Sequence, residues 1–109
     1  MATTYKVLGQ SAPSATTNTD LYTVPSSTQA VISTITVCNR TSTAATYRIA
    51  VRPNGAAIAN QHYVCYDVSV PASDTVGLTL GLTIDAADVV TVYASSSTLS
   101  FSLFGSEIA

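Results

Sequence analysis

Charge is what this chain has least of. Only 9% of its 109 residues are Asp, Glu, Lys or Arg, against about 25% in an average soluble protein. The cations are Lys6, Arg40, Arg48 and Arg52. So few cannot neutralise many phosphates, which excludes a dedicated nucleic-acid binder. His62 is the single histidine and Glu107 the single glutamate, so there is little material for acid–base chemistry. No apolar run approaches the roughly 18 residues of a helical membrane span. The opening MATTYKVLGQ lacks the charged region, apolar core and cleavage site of a secretory signal. Two cysteines, Cys38 and Cys65, do not make a disulfide framework. In the reducing compartment expected without an export signal, they read as small apolar strand residues. At 47% apolar with net charge −2, the chain is too hydrophobic and too weakly charged to be disordered.

Hydroxyls fill the gap left by charge: 17 Thr and 14 Ser. With Val, Ile and Tyr they are strand formers, and the pattern is β throughout. Eight short strands are expected, punctuated by Ser, Pro, Asn, Asp and Gly. They are Tyr5–Leu8, Leu21–Val24, Ala30–Asn39, Thr46–Arg52, His62–Val70, Thr75–Ile84, Val89–Ala94 and Thr98–Phe104. Alternation assigns Val31, Ile35 and Val37 to one face of the third strand. In the fourth, Tyr47, Ile49 and Val51 point inward and Arg48 and Arg52 outward. In the fifth, His62, Val64, Tyr66, Val68 and Val70 share a face opposite Tyr63, Cys65 and Asp67. The sixth is the clearest: Val76, Leu78, Leu80, Leu82 and Ile84 alternate with Thr and Gly, which signals one buried face. Gly77 and Gly81 in that run suggest a close approach or a bulge that splits it. Asn54-Gly55 can supply the positive φ of a turn. Such spacing defines an all-β, antiparallel sandwich of about eight strands, with the jelly roll as the favoured form. Residues 1–19 read as an N-terminal strand and polar arm, and 20–109 as a single β-sandwich domain.

Catalytic and ligand constellations are missing. His62 and Cys65 fall on opposite strand faces and have no third ligand, so no metal site is expected. Asp85 and Asp88 flank a turn, and turn chemistry is the better reading than calcium. There is no nucleophile elbow, phosphate loop or selected carboxylate pair. His62 reads as a strand-end residue hydrogen-bonded to backbone. Asn39-Arg40-Thr41 fits a glycosylation sequon only at chance level. The chain is therefore not expected to be an enzyme, and no cofactor is implied.

What remains is surface character. Arg48 and Arg52 share an extended face with Arg40 in the preceding loop, either a solvated face or an ion-pairing patch for an acidic neighbour. Tyr63, Tyr93 and Phe104 stand opposite the apolar residues of their strands, as aromatics at protein interfaces do.

Six stretches carry a resemblance: LYTVP (Leu21–Pro25), VCNR (Val37–Arg40), YRIAVRP (Tyr47–Pro53), HYVCYD (His62–Asp67), DVVTVYA (Asp88–Ala94) and FSLFGSEI (Phe101–Ile108). They resemble the small β-sandwich virion structural proteins of tailed bacteriophages, cyanophages among them, and most of all their capsid decoration (cement) proteins. None of the stretches is a catalytic motif. The resemblance implies a protein of the virion, assembled in the host cytoplasm, that clamps neighbouring capsid subunits. It implies a homo-oligomer, commonly a trimer, with the major capsid protein or other virion proteins as partners, and neither nucleic acid nor membrane. The assembly interface would comprise Arg40, Arg48, Arg52, Tyr63, Tyr93, Phe104 and Glu107, and Ala2–Thr19 would be an arm that orders on the particle. The alternatives are a tail, neck, baseplate or fibre-adaptor component, or a carbohydrate-binding sandwich module.

Overall fold

A computed structural model describes residues 2–109. Nine strands form: β1 (Thr3–Ser11), β2 (Thr19–Thr23), β3 (Gln29–Asn39), β4 (Ala45–Arg52), β5 (Tyr63–Val70), β6 (Thr75–Leu78), β7 (Leu82–Ile84), β8 (Val89–Ala94) and β9 (Leu99–Ile108). One sheet runs β1-β9-β3, with β6 and β7 both paired to β3; the other runs β2-β8-β4-β5. All pairings are antiparallel. β6 and β7 lie end to end along β3 as one interrupted strand, which restores the expected eight. The first strand then pairs with the last, the second with the second last, the third with the sixth, and the fourth with the fifth. A long antiparallel hairpin rolled up in this way is a jelly roll.

Alternating apolar residues explain why the two sheets close on each other. Tyr47 and Ile49 from β4 meet Leu99, Phe101 and Leu103 from β9, all of them essentially buried. Burying each such aliphatic or aromatic side chain contributes roughly 1.5–3 kcal/mol. Tyr47 and Phe101 bridge the sheets edge to face, with ring centroids 6.2 Å apart. The turns use the expected chemistry. Asn54 and Gly55 both take left-handed φ values. The Asp88 carboxylate accepts the N–H groups of Asp85 and Asn54, as a turn aspartate should. His62 closes a short helical turn, Asn60–His62, its Nδ1 accepting the Ala59 N–H at 3.0 Å. Asn39 is buried, its Nδ2 donating to the carbonyls of Thr43, Val70 and Pro71. Its amide is thus consumed inside the fold, so the sequon offers no acceptor.

Expectations for β3, for the edge strand and for the N-terminal arm need correction, the first two because of backbone register. The stretch Leu103–Gly105 of β9 faces Lys6–Gly9 on β1 and Ile32–Ile35 on β3. Both neighbours therefore carry one extra residue, Leu8 and Ser33. Opposite Ile32–Ile35 the edge strand spends still one more, from Leu78 to Leu82. A row of bulges thus crosses the whole sheet at one level. On β3 it reverses the phase: Ile32 and Ile35 both point in, and Val31 is exposed rather than sharing their face. On the edge strand the split falls at Gly81, which has φ +65°, while Gly77 stays in the regular ladder of β6. Val76, Leu78, Leu82 and Ile84 keep to the inner face, but Leu80 is thrown out into solvent. Finally, Gly9–Ser11, expected in the polar arm, belongs to β1. Thr3–Ser11 is hydrogen-bonded along β9, so this part of residues 1–19 is a strand of the sandwich.

Gly105 sits in that row for a steric reason. A Cβ there would lie 2.0 Å from the Val31 carbonyl oxygen and 3.0 Å from the Ile32 Cα, and backbone on that side cannot give way. Gly105→Ala should lower unfolding free energy by about 2–4 kcal/mol, measured by urea titration. Gly77→Ala, where a Cβ meets nothing within 4 Å, should stay within about 0.5 kcal/mol of the parent. Asn39→Asp replaces a donor to three carbonyls with an acceptor, and should cost at least about 2 kcal/mol in the same titration.

Candidate functional site

The outer faces of the two sheets hold most of the residues singled out for assembly. On the second sheet, β4 alternation sends Arg48, Ala50 and Arg52 outward. The Arg48 guanidinium lies between two aromatic rings, 4.2 Å from the centroid of Tyr66 and 4.3 Å from that of Tyr93. Its Nε also pairs with Asp67 Oδ1 at 2.7 Å. Tyr63 stacks edge to face on Tyr66, centroids 4.9 Å apart. Ala50, opposite Tyr63 and Thr91 in the ladder, is 1% exposed, so it is covered on the outer face as well. Further along, Arg52 Nη2 pairs with Asp20 Oδ1 at 2.8 Å, and its Nε donates to Thr91 Oγ1. Its Nη1 donates to the Ala56 carbonyl at 2.9 Å. Both arginines thus meet carboxylates of their own chain.

Tyr66 and Asp67 reach this face because β5 is irregular. Three residues of β4 (Tyr47 to Ile49) face four of β5 (Val68 to Cys65), and Asp67 takes the left-handed φ of 51°. The single shared face expected for His62, Val64, Tyr66, Val68 and Val70 therefore fails: His62 and Val70 are buried and the three between them are not. All three are exposed, Tyr66 to 57%, while Cys65 packs against the core. Tyr66 is the aromatic that alternation alone misses. Burial pushes the Cys65 thiol up from its ordinary value, which leaves it a poor nucleophile.

On the first sheet, register places Tyr5, Val7, Val31, Phe104 and Ile108 on one outer surface beyond the bulge row. Tyr5 is 83% exposed and Phe104 half-buried. Glu107 points the other way. Its carboxylate pairs with Lys6 Nζ at 2.9 Å and accepts the Tyr22 hydroxyl from the opposite sheet. It is an internal pin between the sheets, not part of the outer surface. Arg40 stands apart too, donating to the Ser97 carbonyl at 2.7 Å at the β8–β9 turn. A depression of about 390 Å³ lies over Gln29, Val31, Thr83 and Ile108 beside Asp85 and Asp88, and the turn already engages both carboxylates. Among the described residues no three of His, Cys, Asp and Glu cluster as a metal site. Among these residues no helix is long and apolar enough to cross a membrane.

No protein-family model matches the chain, and no curated protein matches it either.

The Glu107 pin makes stability depend on pH. The Tyr22 hydrogen bond, and then Lys6, hold the Glu107 carboxyl below its usual 4.5. That contribution is present above pH 4.5 and lost as pH falls through the lower folded value. Tyr22 is pushed well above its usual 10.0, first by burial and then by Glu107, so its contribution is lost as pH rises beyond 10.0. Melting temperature against pH should therefore fall on both limbs. Glu107→Gln should flatten the acid limb, and Tyr22→Phe the alkaline one.

Proposed function

We propose that this chain is a structural protein of a tailed-phage particle, a capsid decoration (cement) protein that clamps neighbouring capsid subunits. One observation carries the reading, together with the six resembling stretches. The large exposed apolar side chains gather on outer sheet faces and strand edges, while three of the four cations are neutralised inside the chain. A surface so made has little long-range repulsion and much apolar area for a neighbour to cover. Tyr63, Tyr66 and Tyr93 around Arg48 form a stiff aromatic layer on one side, and Phe104 with Val7 and Tyr5 an apolar one on the other. A rigid sandwich contacting subunits on both sides resists their separation when packaged DNA presses outward. The sugar-binding alternative needs free tyrosine ring faces, and here Tyr66 and Tyr93 each give one to Arg48.

Copy number tests the reading. Quantitative mass spectrometry of intact particles should find the protein in hundreds of copies, and adding it to purified shells should raise their disruption temperature. A count near a dozen would overturn the capsid role in favour of a vertex or tail adaptor. Specific binding on a glycan array would favour a receptor-binding module.

A further inference from the structure

A jelly roll has four sheet edges, and an all-β protein must keep each from pairing with strangers. Three are blunted here. β2 has five residues and a bulge between Asp20 and Tyr22. β5 is broken by two register shifts. The β6–β7 edge is split at Thr79–Gly81. The fourth is different: β1 is regular from Thr3 to Val7, up to the extra residue at Leu8. It has no proline, and its one charge, Lys6, is turned to Glu107.

The hydrogen-bond phase of this edge can be worked out. Ala2 and Ala109 exchange both main-chain bonds, each N–H donating to the other's carbonyl at 2.9 Å. In an antiparallel ladder such pairs recur at every second residue. Thr4 with Glu107 and Lys6 with Gly105 are therefore the next bonded pairs in this register. Thr3, Tyr5 and Val7 then direct their N–H and C=O groups away from β9, toward the open edge. Their side chains share the outer surface with Phe104.

We infer that β1 is a self-association edge, pairing antiparallel with β1 of a second copy about a two-fold axis through Tyr5. In that register Tyr5 faces Tyr5 of the second copy, and Thr3 faces Val7 of the second copy. Each of these pairs can exchange two main-chain bonds, about six in all. Lys6 falls opposite Thr4 of the second copy, whereas an axis through Lys6 would set two ammonium groups against each other. A ring of three copies joined by strand addition needs a second, different open edge, and the other three are blunted. A strand-added contact at this edge is therefore two-fold. The inference stands on the edge alone and does not depend on a phage setting. Such a contact is smaller than the roughly 1,000 Å² of a standard interface. The dimer should therefore form at high concentration, or where a surface already holds copies side by side.

Sedimentation velocity over a concentration series, from micromolar to near-millimolar, tests it with the full chain. The parent should pass from monomer to dimer. Tyr5→Pro removes an N–H that points to the open edge, so it should stay monomeric while its circular dichroism and melting remain those of a folded domain. Should that variant fail to fold, the charge pairs decide. Thr3→Lys with Val7→Lys sets like charges across both outer pairs and should abolish the dimer at low salt. Thr3→Glu with Val7→Lys sets opposite charges there and should tighten it several-fold. A parent that is monomeric throughout, a trimer, or a dimer indifferent to both charge variants would each overturn the inference. A monomeric parent would leave the particle reading intact, since copy number on shells reports on that separately.

Discussion

Main-chain hydrogen bonding along β9 is the constraint on which the rest of the first sheet depends. β9 runs unbroken from Leu99 to Ile108 and is paired on both sides. Its buried N–H and C=O groups must stay bonded, so its neighbours absorb any surplus residue. They do so at one level, by Leu8 on β1 and Ser33 on β3, with the edge strand breaking beyond them. On one side of that row the sheet faces the core of the sandwich. On the other the alternation is shifted by one residue, so that Ala30, Ile32 and Ile84 still face the core while Tyr5, Val7 and Val31 are turned outward. The exposed apolar surface is thus a consequence of register, and Gly105 is the residue small enough to let the displaced β3 backbone pass.

The scarcity of charge has a structural counterpart. Lys6, Arg48 and Arg52 each find a carboxylate within the chain, and Asp85 and Asp88 engage turn N–H groups. Ion pairs at a surface add little to stability, but these take up groups that would otherwise repel a neighbour. Glu107 does more than the others, because Tyr22 comes from the opposite sheet. Its carboxylate ties the two layers together at the end where the first sheet is least covered.

The proposed packing against neighbouring subunits would account for both features. A protein that works alone at high concentration normally relies on net charge and protected edges for solubility. Here three of the four cations are paired with carboxylates and one edge is left regular. The fold itself says little about role, since jelly rolls serve many unrelated functions. The proposal of a particle component rests on surface chemistry and on the resemblance read from the strand and turn stretches.

The all-β class, the strand count and the jelly roll could be read from the chain, because period-two alternation and turn residues are local signals that tertiary context rarely overrides when they repeat. Tyr47, Ile49, Leu99, Phe101 and Leu103 were legible as core for that reason, as were the turn role of Asp88 and the backbone bond of His62. Alternation fails once a bulge inserts a residue, since one step exchanges the faces. That is why Val31, Tyr66 and Leu80 were misplaced. Gly81 announced only the last of these breaks, and nothing local marks Ser33 as an extra residue. Of the expected assembly residues, Arg48, Tyr63 and Tyr93 come together and Arg52 lies along the same face. Glu107 turns inward, because its partner Tyr22 is 85 residues distant and no local pattern could reveal it. The sequence by itself determined the layers and what lies between them, because burial of alternating apolar residues is a local demand. Only the tertiary structure decided which aromatics face outward and which edge stays open, because register is settled between strands far apart in the chain.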